Sequence, residues 1–491
     1  MSSKPSADKP TARARPLSLL PLLIVVLLIP AVLGSSSMIF NDGDVSWHIA
    51  TGQWILEHRA IPQTDPFSFT WAGKPWVPIE WLAEVLLGAA YGLAGHSGVA
   101  ALVTAALMAL HAIVYFNARR SIAAALVPVV AMDFVLIPMT LARPHVLTWP
   151  LLALWLWLML HARENERAPP LPAALLLTVW ANLHGSFVLG LGIAGAFGLE
   201  ALISAPDRGR ALRQWPVFGI ACLIAVFINA NGLAGVWHPF YMAGQTTLPL
   251  VQEWQPSSPA VTPFFFAVLA VTLSLIVWKR PRLHPVRWLI LGGLLLLALF
   301  QVRHQSVLAI VAAMLLPQGF ARGTVRARAV ETGARVAVVA GAALLILTRA
   351  LMPIQMPENE SNPWKLIAAV PGPLRSEPVL NGYSMGGPLI LSGIRPFIDG
   401  RADMYGDQFV ANYARLAKGD AATFDRAVRR WDIRWAILPV EAKALTGLIE
   451  RSGWRRIASN RVGAVYARAG AMPVEGNGKV GGFPSTGVPK G

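Results

Sequence analysis

Long apolar runs separated by short polar segments dominate the first 350 residues. The first run, residues 17–34, follows four Lys and Arg residues and is about as long as one bilayer span. A signal peptide has a similar start, but no cleavage motif of small residues stands out. Ten further runs lie at 97–116, 121–139, 145–161, 171–184, 186–204, 214–230, 262–278, 287–301, 305–319 and 334–352. The pattern predicts an α-helical polytopic membrane protein with about eleven transmembrane helices.

Lysine and arginine residues concentrate in alternate loops between these runs. Nineteen of those that precede Arg349 lie in loops that we assign to the cytoplasmic side. The opposite loops hold only Arg59, Lys74, Arg143 and Arg303. Because basic residues near span ends resist translocation, the N-terminus is predicted inside and the C-terminus outside.

This alternation holds only if residues 79–95 do not cross the membrane. Glu80 and Glu84 lie one helical turn apart in this segment, opposite Leu and Val residues, as in a helix that lies at the interface. If the segment were instead a short span, every later span would change sides.

A long first outside loop, residues 37–96, follows the first span in this topology. Near its start, residues 46–58 form a second amphipathic pattern. Trp47, Trp54 and Ile55 in this pattern suit a membrane interface.

The character of the chain changes after the last apolar run. Residues 17–352 form the predicted membrane domain, and 1–16 a cytoplasmic N-terminus. Residues 353–470 mix strand-like and helical runs, which predicts a small extracytoplasmic α/β domain. Residues 471–491 are rich in Gly and Pro with little periodicity and are predicted to be a disordered tail.

Composition agrees with a membrane protein and limits the kinds of site. Of 491 residues, 55% are hydrophobic and 14% charged, and the mean hydropathy is +0.51. The net charge of +16 would favour nucleic acid if it were clustered on a soluble domain. We expect no nucleic-acid partner, since nineteen basic residues lie in the cytoplasmic loops. The single cysteine, Cys222, excludes an intrachain disulfide and a cysteine-based metal site.

Two carboxylates follow the first span in the segment FNDGDVSWHIATG. Asp42 and Asp44 flank Gly43, a spacing that can place both on a divalent cation or on a hydroxyl to be deprotonated. Carboxylates near a bilayer are costly, which favours a functional role. The alternative is an ordinary turn that caps the helix beginning near Val45. The spacing alone leaves both open.

Cations and imidazoles lie on the same predicted face. Arg143 and His145 occur in LARPH, and Arg303 and His304 in VRH. Cations at helix ends that face one aqueous pocket suit a phosphate or pyrophosphate group. Considered singly, each of these four side chains can equally lie at the membrane interface or hydrogen-bond the free backbone groups at a neighbouring helix end. Together with the carboxylates, they predict a site.

Further polar residues near this face are candidates for contacts to the substrates. They are His48, Glu80, Asn182, His184 and Glu253. Asn and Trp side chains such as those in VWANLHGSF bind sugars by hydrogen bonding and stacking. An aromatic belt is the alternative for most of the 18 tryptophans.

Two patterns in the C-terminal part suggest other chemistry. Residues 382–386, GYSMG, match the G-x-S-x-G of a nucleophile elbow. No histidine follows His304, so this part cannot complete a Ser–His–acid triad. Asp399, Asp403 and Asp407 can bind calcium in principle, but their spacing does not match an EF-hand and favours a turn network.

These features together resemble the GT-C membrane glycosyltransferases. The resemblance covers residues 15–350 and is strongest to the branch with protein O-mannosyltransferases and the lipid A aminoarabinose transferase. The segment NGYSMGGPLILSGIRPFIDGRADMYGD looks like that of uncharacterised bacterial membrane proteins. The resemblance implies an enzyme of the bacterial inner membrane, surrounded by membrane lipids. It would transfer a sugar from a polyprenyl-phosphate donor to a protein, lipid or glycan acceptor outside the membrane.

The resemblance also implies roles for the site residues. Asp44, placed by its distance to Trp47 and His48, would deprotonate or orient the acceptor hydroxyl, and Asp42 would support it. The donor phosphate would be held by Arg143, His145, Arg303 and His304. The sequence has DGD where mannosyltransferases usually show an Asp–Glu pair. Two expectations for the cofactor therefore stay open: a divalent metal ion bound by Asp42 and Asp44, or no cofactor at all.

Two other classes of protein compete with this interpretation. A transporter should have ionisable residues near span centres, and few occur apart from His111 and Asp133. A non-catalytic or transport component of envelope polysaccharide or glycolipid assembly remains the alternative function.

Overall fold

The protein is described by a computed structural model over residues 19–247, 252–320 and 332–470. The predicted tail, 471–491, and the cytoplasmic N-terminus, 1–16, lie outside the described residues. So do Arg322, Arg326 and Arg328 of the last loop that we assigned to the cytoplasm.

Helices make up the chain as far as residue 351. A π-helical turn, Ile24–Leu28, joins the first two helices into one continuous rod. The helices are α1 (Leu19–Leu23), α2 (Ile29–Ser35), α3 (Asp44–His58), α4 (Trp81–Ala118), α5 (Leu126–Leu136), α6 (Pro144–Glu164), α7 (Leu175–Leu183), α8 (Phe187–Ser204), α9 (Arg208–Phe227), α10 (Gly232–Ala243), α11 (Pro263–Lys279), α12 (Pro285–Phe300), α13 (Gln305–Phe320) and α14 (Thr332–Leu351).

All eleven apolar runs coincide with helical structure, which confirms a mostly helical membrane protein. Within the described residues, five helices are both long and apolar enough to cross a membrane, namely α4, α6, α8, α9 and α14. Several of the remaining apolar helices are shorter. The number of eleven spans therefore stays a prediction.

The predicted interfacial segment 79–95 forms the first part of α4. The helix is interrupted at Ala94 and Gly95, where Gly95 has a φ of 57°. Its acidic face is not turned outward as the pattern suggested, because Glu84 is only 1% exposed. The carboxylate contacts His48 of α3, with Oε1 3.3 Å from Nδ1. The polar stripe therefore faces a neighbouring helix.

A similar correction applies to α3. Trp47 and Ile55, which we assigned to the membrane interface, are each 7% exposed and packed inside the protein. Trp47 belongs to a hydrophobic core that contains Leu380 and Ile398 of the C-terminal part. An amphipathic pattern indicates that one face of a helix is buried, but it does not indicate whether lipid or another segment of the protein covers that face.

The C-terminal part is a small α/β unit, as predicted. Its sheet has the order β1-β2-β4-β3, with β1 parallel to β2 and the other pairs antiparallel. Val379 pairs with Trp435, which in turn pairs with Ala467. The elements are α15 (Trp364–Ala368), β1 (Val379–Asn381), α16 (Gly386–Leu391), α17 (Ala402–Ala417), α18 (Ala421–Trp431), β2 (Trp435–Pro439), α19 (Lys443–Arg451), β3 (Arg455–Ser459) and β4 (Gly463–Ala467).

Hydrogen bonds and an ion pair join this unit to the loop between α3 and α4. Thr70 donates to the carbonyl of Phe397 at 2.7 Å. The Arg401 guanidinium lies between Asp65 of the loop, at 2.8 Å, and Asp399, at 2.7 Å, and all three are buried. The loop and the α/β unit thus share one core, which fixes the unit beside the start of α3.

Charged residues mark the two ends of the helical part. Arg163, near the end of α6, and Arg287, near the start of α12, both donate to Glu200 of α8. Arg143 precedes α6 at its other end, about 30 Å away for a helix of 21 residues. Arg163 and Arg287, two of the basic residues that we assigned to the cytoplasm, therefore lie at the end opposite Arg143.

Candidate functional site

The Asp42–Gly43–Asp44 turn connects the first membrane helix to α3. A short 3₁₀ helix, Ser37–Phe40, precedes it, and α3 begins at Asp44. Oδ1 of Asp42 accepts the backbone N–H of Asp44 at 2.8 Å. The turn that we considered as an alternative therefore exists, and it leaves Oδ2 of Asp42 and the Asp44 carboxylate for other partners.

Arg143 is the cation that these carboxylates share. It lies 3.1 Å from Oδ2 of Asp42 and 3.1 Å from Oδ2 of Asp44. Its Nη1 also donates to Glu253 at 2.7 Å. Pro144 begins α6 directly after Arg143, so the guanidinium is presented at a rigid helix start. One positive charge thus faces three carboxylates.

This imbalance sets the protonation of the two carboxylates on either side of Arg143. Burial raises the pKa of Asp44 to about 7, and the charges of Asp42 and Glu253 add to this effect although Arg143 opposes it. Burial also acts on Glu253, but the charges of Arg143 and Arg303 lower its pKa to about 2. Asp44 is therefore poised to exchange a proton near neutral pH, while Glu253 stays ionised.

A second group of polar residues surrounds Glu80, just before α4. Its carboxylate lies 3.3 Å from Nε2 of His184 and 3.7 Å from Nε2 of His48. Burial raises the pKa of Glu80 to about 7, against the charges of Arg143 and Arg303. Burial and nearby cations hold the pKa values of His48 and His184 well below the usual range. The imidazoles are therefore neutral hydrogen-bonding groups.

Arg303 differs from Arg143 in that it contacts no carboxylate directly among the described residues, although its charge acts on Glu253 and Glu80 from a longer distance. Its guanidinium lies 4.3 Å from the centroid of the Trp254 ring, a cation–π contact. Among the described residues it makes no ion pair within 4.0 Å. Its N–H donors are therefore available to bind an anion. We assigned both Arg143 and Arg303 to a phosphate, and of the two only Arg303 has available donors.

The neighbouring histidines have different surroundings. Nε2 of His145 lies 3.0 Å from the carbonyl oxygen of Met139, and this contact holds the turn before α6. Nδ1 of His304 is buried without a hydrogen-bond partner among the described residues. Nε2 of His48 is likewise buried without a hydrogen-bond partner among the described residues, so an imidazole nitrogen is left unengaged at each of these two positions.

Asn182 has a structural position instead of the predicted contact to substrate. Its Oδ1 accepts from the indole of Trp81 at 2.7 Å and from the backbone N–H of Ala230. Its Nδ2 donates to the carbonyl oxygens of Thr178 and Ile228. The side chain is buried and both amide atoms are engaged, so it holds helix ends together.

The C-terminal unit completes one wall of the site, which the sequence analysis missed. Gly400 packs against the Asp44 carboxylate so closely that a Cβ atom there would lie 2.5 Å from Cγ and overlap Oδ1. A Cβ atom on Gly43 would overlap the carbonyl oxygen of Ser384, and one on Gly387 that of Gly43. The GYSMG segment thus packs on the carboxylate turn instead of forming a nucleophile elbow.

Two further side chains of this unit face the site. The Tyr383 hydroxyl donates to the carbonyl of Gly400 at 3.3 Å. Burial and the charge of Asp44 hold its pKa well above the usual range, so it remains a neutral donor. Asp403 lies 3.1 Å from Nε2 of His238 in α10. The cluster of glycines in NGYSMGG and FIDG was the only signal in the sequence for this close packing.

The three aspartates of the IDGRADMYGD segment do not converge on a cation. Asp399 binds Arg401 and Tyr405, and Asp407 accepts from the main chain and hydroxyls of Thr246 and Thr247. Asp403 pairs with His238. Each carboxylate therefore has its own protein partner, which agrees with a turn network and not with calcium binding.

A divalent metal ion at Asp42 and Asp44 fits poorly for a related reason. The guanidinium of Arg143 lies against both carboxylates. Within the described parts of the chain, no three His, Cys, Asp or Glu residues are grouped as metal ligands. The arrangement matches a carboxylate–guanidinium cluster, so we derive no step through a metal.

The fold is similar to that of two solved membrane transferases. Apo oligosaccharyltransferase from Archaeoglobus fulgidus superposes with a TM-score of 0.51 at 12% identity, over 92% of this chain and 75% of that one. ArnT from Cupriavidus metallidurans, bound to undecaprenyl phosphate, superposes with a TM-score of 0.53 at 13% identity, over 93% of this chain and 100% of that one.

Sequence comparison adds no closer relationship. No protein-family profile matches the chain, and no curated protein matches it. At 12–13% identity the structural similarity shows the fold alone. The chain therefore shares the fold of these two proteins, whereas membership of the GT-C glycosyltransferases and the branch within them stay predictions.

Proposed function

We propose that the protein is a membrane glycosyltransferase that moves a sugar from a polyprenyl-phosphate donor to an acceptor hydroxyl. The observation that carries the proposal is the partly buried Asp44 carboxylate, 3.1 Å from Arg143, in a cluster that also holds Arg303, which makes no ion pair among the described residues. Burial raises the pKa of Asp44 to about 7. The fold supports it, since ArnT of this fold was solved bound to undecaprenyl phosphate.

The reaction assigns one task to Asp44. The acceptor oxygen attacks the anomeric carbon while the bond from that carbon to the phosphate oxygen breaks. The hydroxyl proton passes to the Asp44 carboxylate, and the electron pair of the broken bond leaves with the polyprenyl phosphate. A general base is most effective when its pKa lies near the working pH, which is the condition of Asp44.

The other residues orient this step and stabilise charge. Arg143 holds Asp44 and Asp42 in place and balances their charge. Arg303, stacked on Trp254, offers its donors to the departing phosphate, where negative charge grows. His304 contributes a further polar contact at this position. Glu80 and His184, which are partly exposed, with His48 buried behind them, form a polar wall suited to sugar hydroxyls.

The distribution of charges along the bundle supports an extracytoplasmic position for this site. The Glu200 cluster gathers arginines from the loops rich in basic residues, at the end of α6 opposite Arg143. Basic loops stay in the cytoplasm, so Arg143 and the α/β unit face outward, with the C-terminus, in the inner membrane of a bacterium.

The proposal is tested by Asp44→Asn in proteoliposomes with a polyprenyl-phosphate sugar and mixed protein, lipid and glycan acceptors. We expect transfer to fall by about 100- to 10,000-fold, the range for loss of a general base. The exposed Asp425→Asn variant is the matched control and should transfer normally. Full turnover by Asp44→Asn would remove Asp44 from the mechanism. Tight donor binding by the wild type with no consumption would favour a non-catalytic assembly component.

A further inference from the structure

An open groove runs along the outside of the bundle between α2 and α14, away from the carboxylate cluster. Its volume is about 820 Å³. Ala31, Val32 and Leu345 line its apolar length, and Ser35, Thr348 and Arg349 its polar end. Val32 is exposed beside it, so the groove opens to the surroundings of the helices.

Arg349 at the polar end is a buried cation without a counter-charge. The residue is 8% exposed. Its Nη2 donates to Oγ of Ser97 at 3.3 Å and to the carbonyl of Met352. Its Nε is buried without any hydrogen-bond partner. In the described part of the chain, no carboxylate lies within 4.0 Å of it.

Burial of a guanidinium without a partner of opposite charge is unfavourable unless an anion binds to it. An unpaired charge costs several kcal/mol on removal from water, and a hydrogen-bonded partner of opposite charge offsets that cost. The ends of α2 and α14 lie at the boundary of the apolar bundle, where lipid headgroups lie. An anion beside Arg349 and an apolar chain in the groove below it correspond to the headgroup and an acyl chain of one anionic lipid.

We propose that this groove binds an anionic phospholipid. Its phosphate accepts from Arg349 and from the hydroxyls of Ser35 and Thr348, and an acyl chain lies along Ala31 and Leu345. Basic pockets between membrane helices bind such headgroups by the same chemistry. Ser35 is seven residues before Asp42, so the bound lipid supports the segment that carries the catalytic turn.

The test is lipid binding by the full-length protein in detergent, followed by native mass spectrometry. Phosphatidylglycerol should bind at least about tenfold more tightly than phosphatidylcholine, because the choline cation cancels the net negative charge that would offset the unpaired Arg349. Arg349→Gln should abolish this preference. The exposed Arg208→Gln variant is the matched control and should keep it. Equal binding of the two lipids, or an unchanged preference in Arg349→Gln, would overturn the proposal.

A second variant guards against misfolding and tests the acyl-chain part. Ala31→Phe fills the groove while Arg349 is retained, and it should weaken binding of phosphatidylglycerol about tenfold without changing the melting temperature. Inorganic phosphate at millimolar concentration should not compete. Displacement of bound phosphatidylglycerol by inorganic phosphate would contradict a phospholipid site. This proposal does not depend on the glycosyltransferase activity.

Discussion

The carboxylate of Asp44 lies directly against the backbone of Gly400, although all the helices from α4 to α14 lie between the two residues in the sequence. A Cβ atom at position 400 would lie 2.5 Å from Cγ of Asp44. The α/β unit therefore forms part of the candidate active site.

Gly400→Ala should reduce sugar transfer strongly, by about 100-fold, because its methyl group must displace the general base and small misplacements of reacting groups have effects of that size. The initial rate in proteoliposomes measures this. Gly372→Ala is the matched control, since nothing lies within 4 Å of a Cβ atom there. A normal rate for Gly400→Ala would mean that Asp44 need not occupy this position.

The raised pKa of Asp44 predicts the pH dependence of transfer. The base is active when deprotonated, so kcat/KM should rise with pH to a plateau, with a midpoint near pH 7. Glu253→Gln should move the midpoint to lower pH, because it removes a charge that raises the pKa of Asp44 and frees Arg143 to lower it further. A midpoint that stays in place would show that Glu253 does not act on the titrating group.

Arg303 should act on the donor and not on the acceptor. Arg303→Gln removes the unpaired guanidinium and should raise the KM for the polyprenyl-phosphate donor about tenfold or more, as expected for a charge-assisted hydrogen bond. Stability should also fall, because the cation–π contact with Trp254, about 0.5–1 kcal/mol, is lost together with the positive charge that lowers the pKa of Glu253. An increase in acceptor KM alone would place Arg303 in another subsite.

Arg143 should be a stabilising residue as well as a positioning one. Arg143→Gln leaves three carboxylates facing one another and should lower the melting temperature. In a double-mutant cycle with Glu253→Gln, the coupling should be about 0.5–3 kcal/mol. The contribution from Glu253, whose pKa is lowered, is present above about pH 4.5 and is lost as the pH falls towards 2. Additive effects would indicate that the pair does not interact.

Removal of Arg401 should separate the α/β unit from the loop after α3. Arg401→Met leaves Asp65 and Asp399 buried without their cation and should destabilise the protein by about 3–5 kcal/mol. Limited proteolysis between α14 and β1 should become faster. The exposed Arg429→Gln variant is the control. Unchanged protease resistance would show that the shared hydrophobic core is sufficient for docking.

The sequence by itself determined the helical membrane architecture and the small α/β unit. Apolar runs of sufficient length have few alternatives to helices in a membrane, because backbone polar groups must be satisfied internally. It also identified Asp42, Asp44, Arg143 and Glu253, which the structure brings together. Ionisable residues are rare in such a composition, so the few that occur near helix ends stand out.

Only the tertiary structure decided which partner each charge has. The sequence assigned Arg143 and Arg303 the same phosphate contact, but one neutralises carboxylates and the other stacks on Trp254. It assigned Trp47 and Glu84 to a membrane interface, but Trp47 is buried by the C-terminal part and Glu84 by His48 of the preceding helix α3. The pattern of residues along the chain indicates that a face of a helix is apolar or charged. The residues that meet it, and the position of Gly400 against Asp44, depend on contacts between segments hundreds of residues apart.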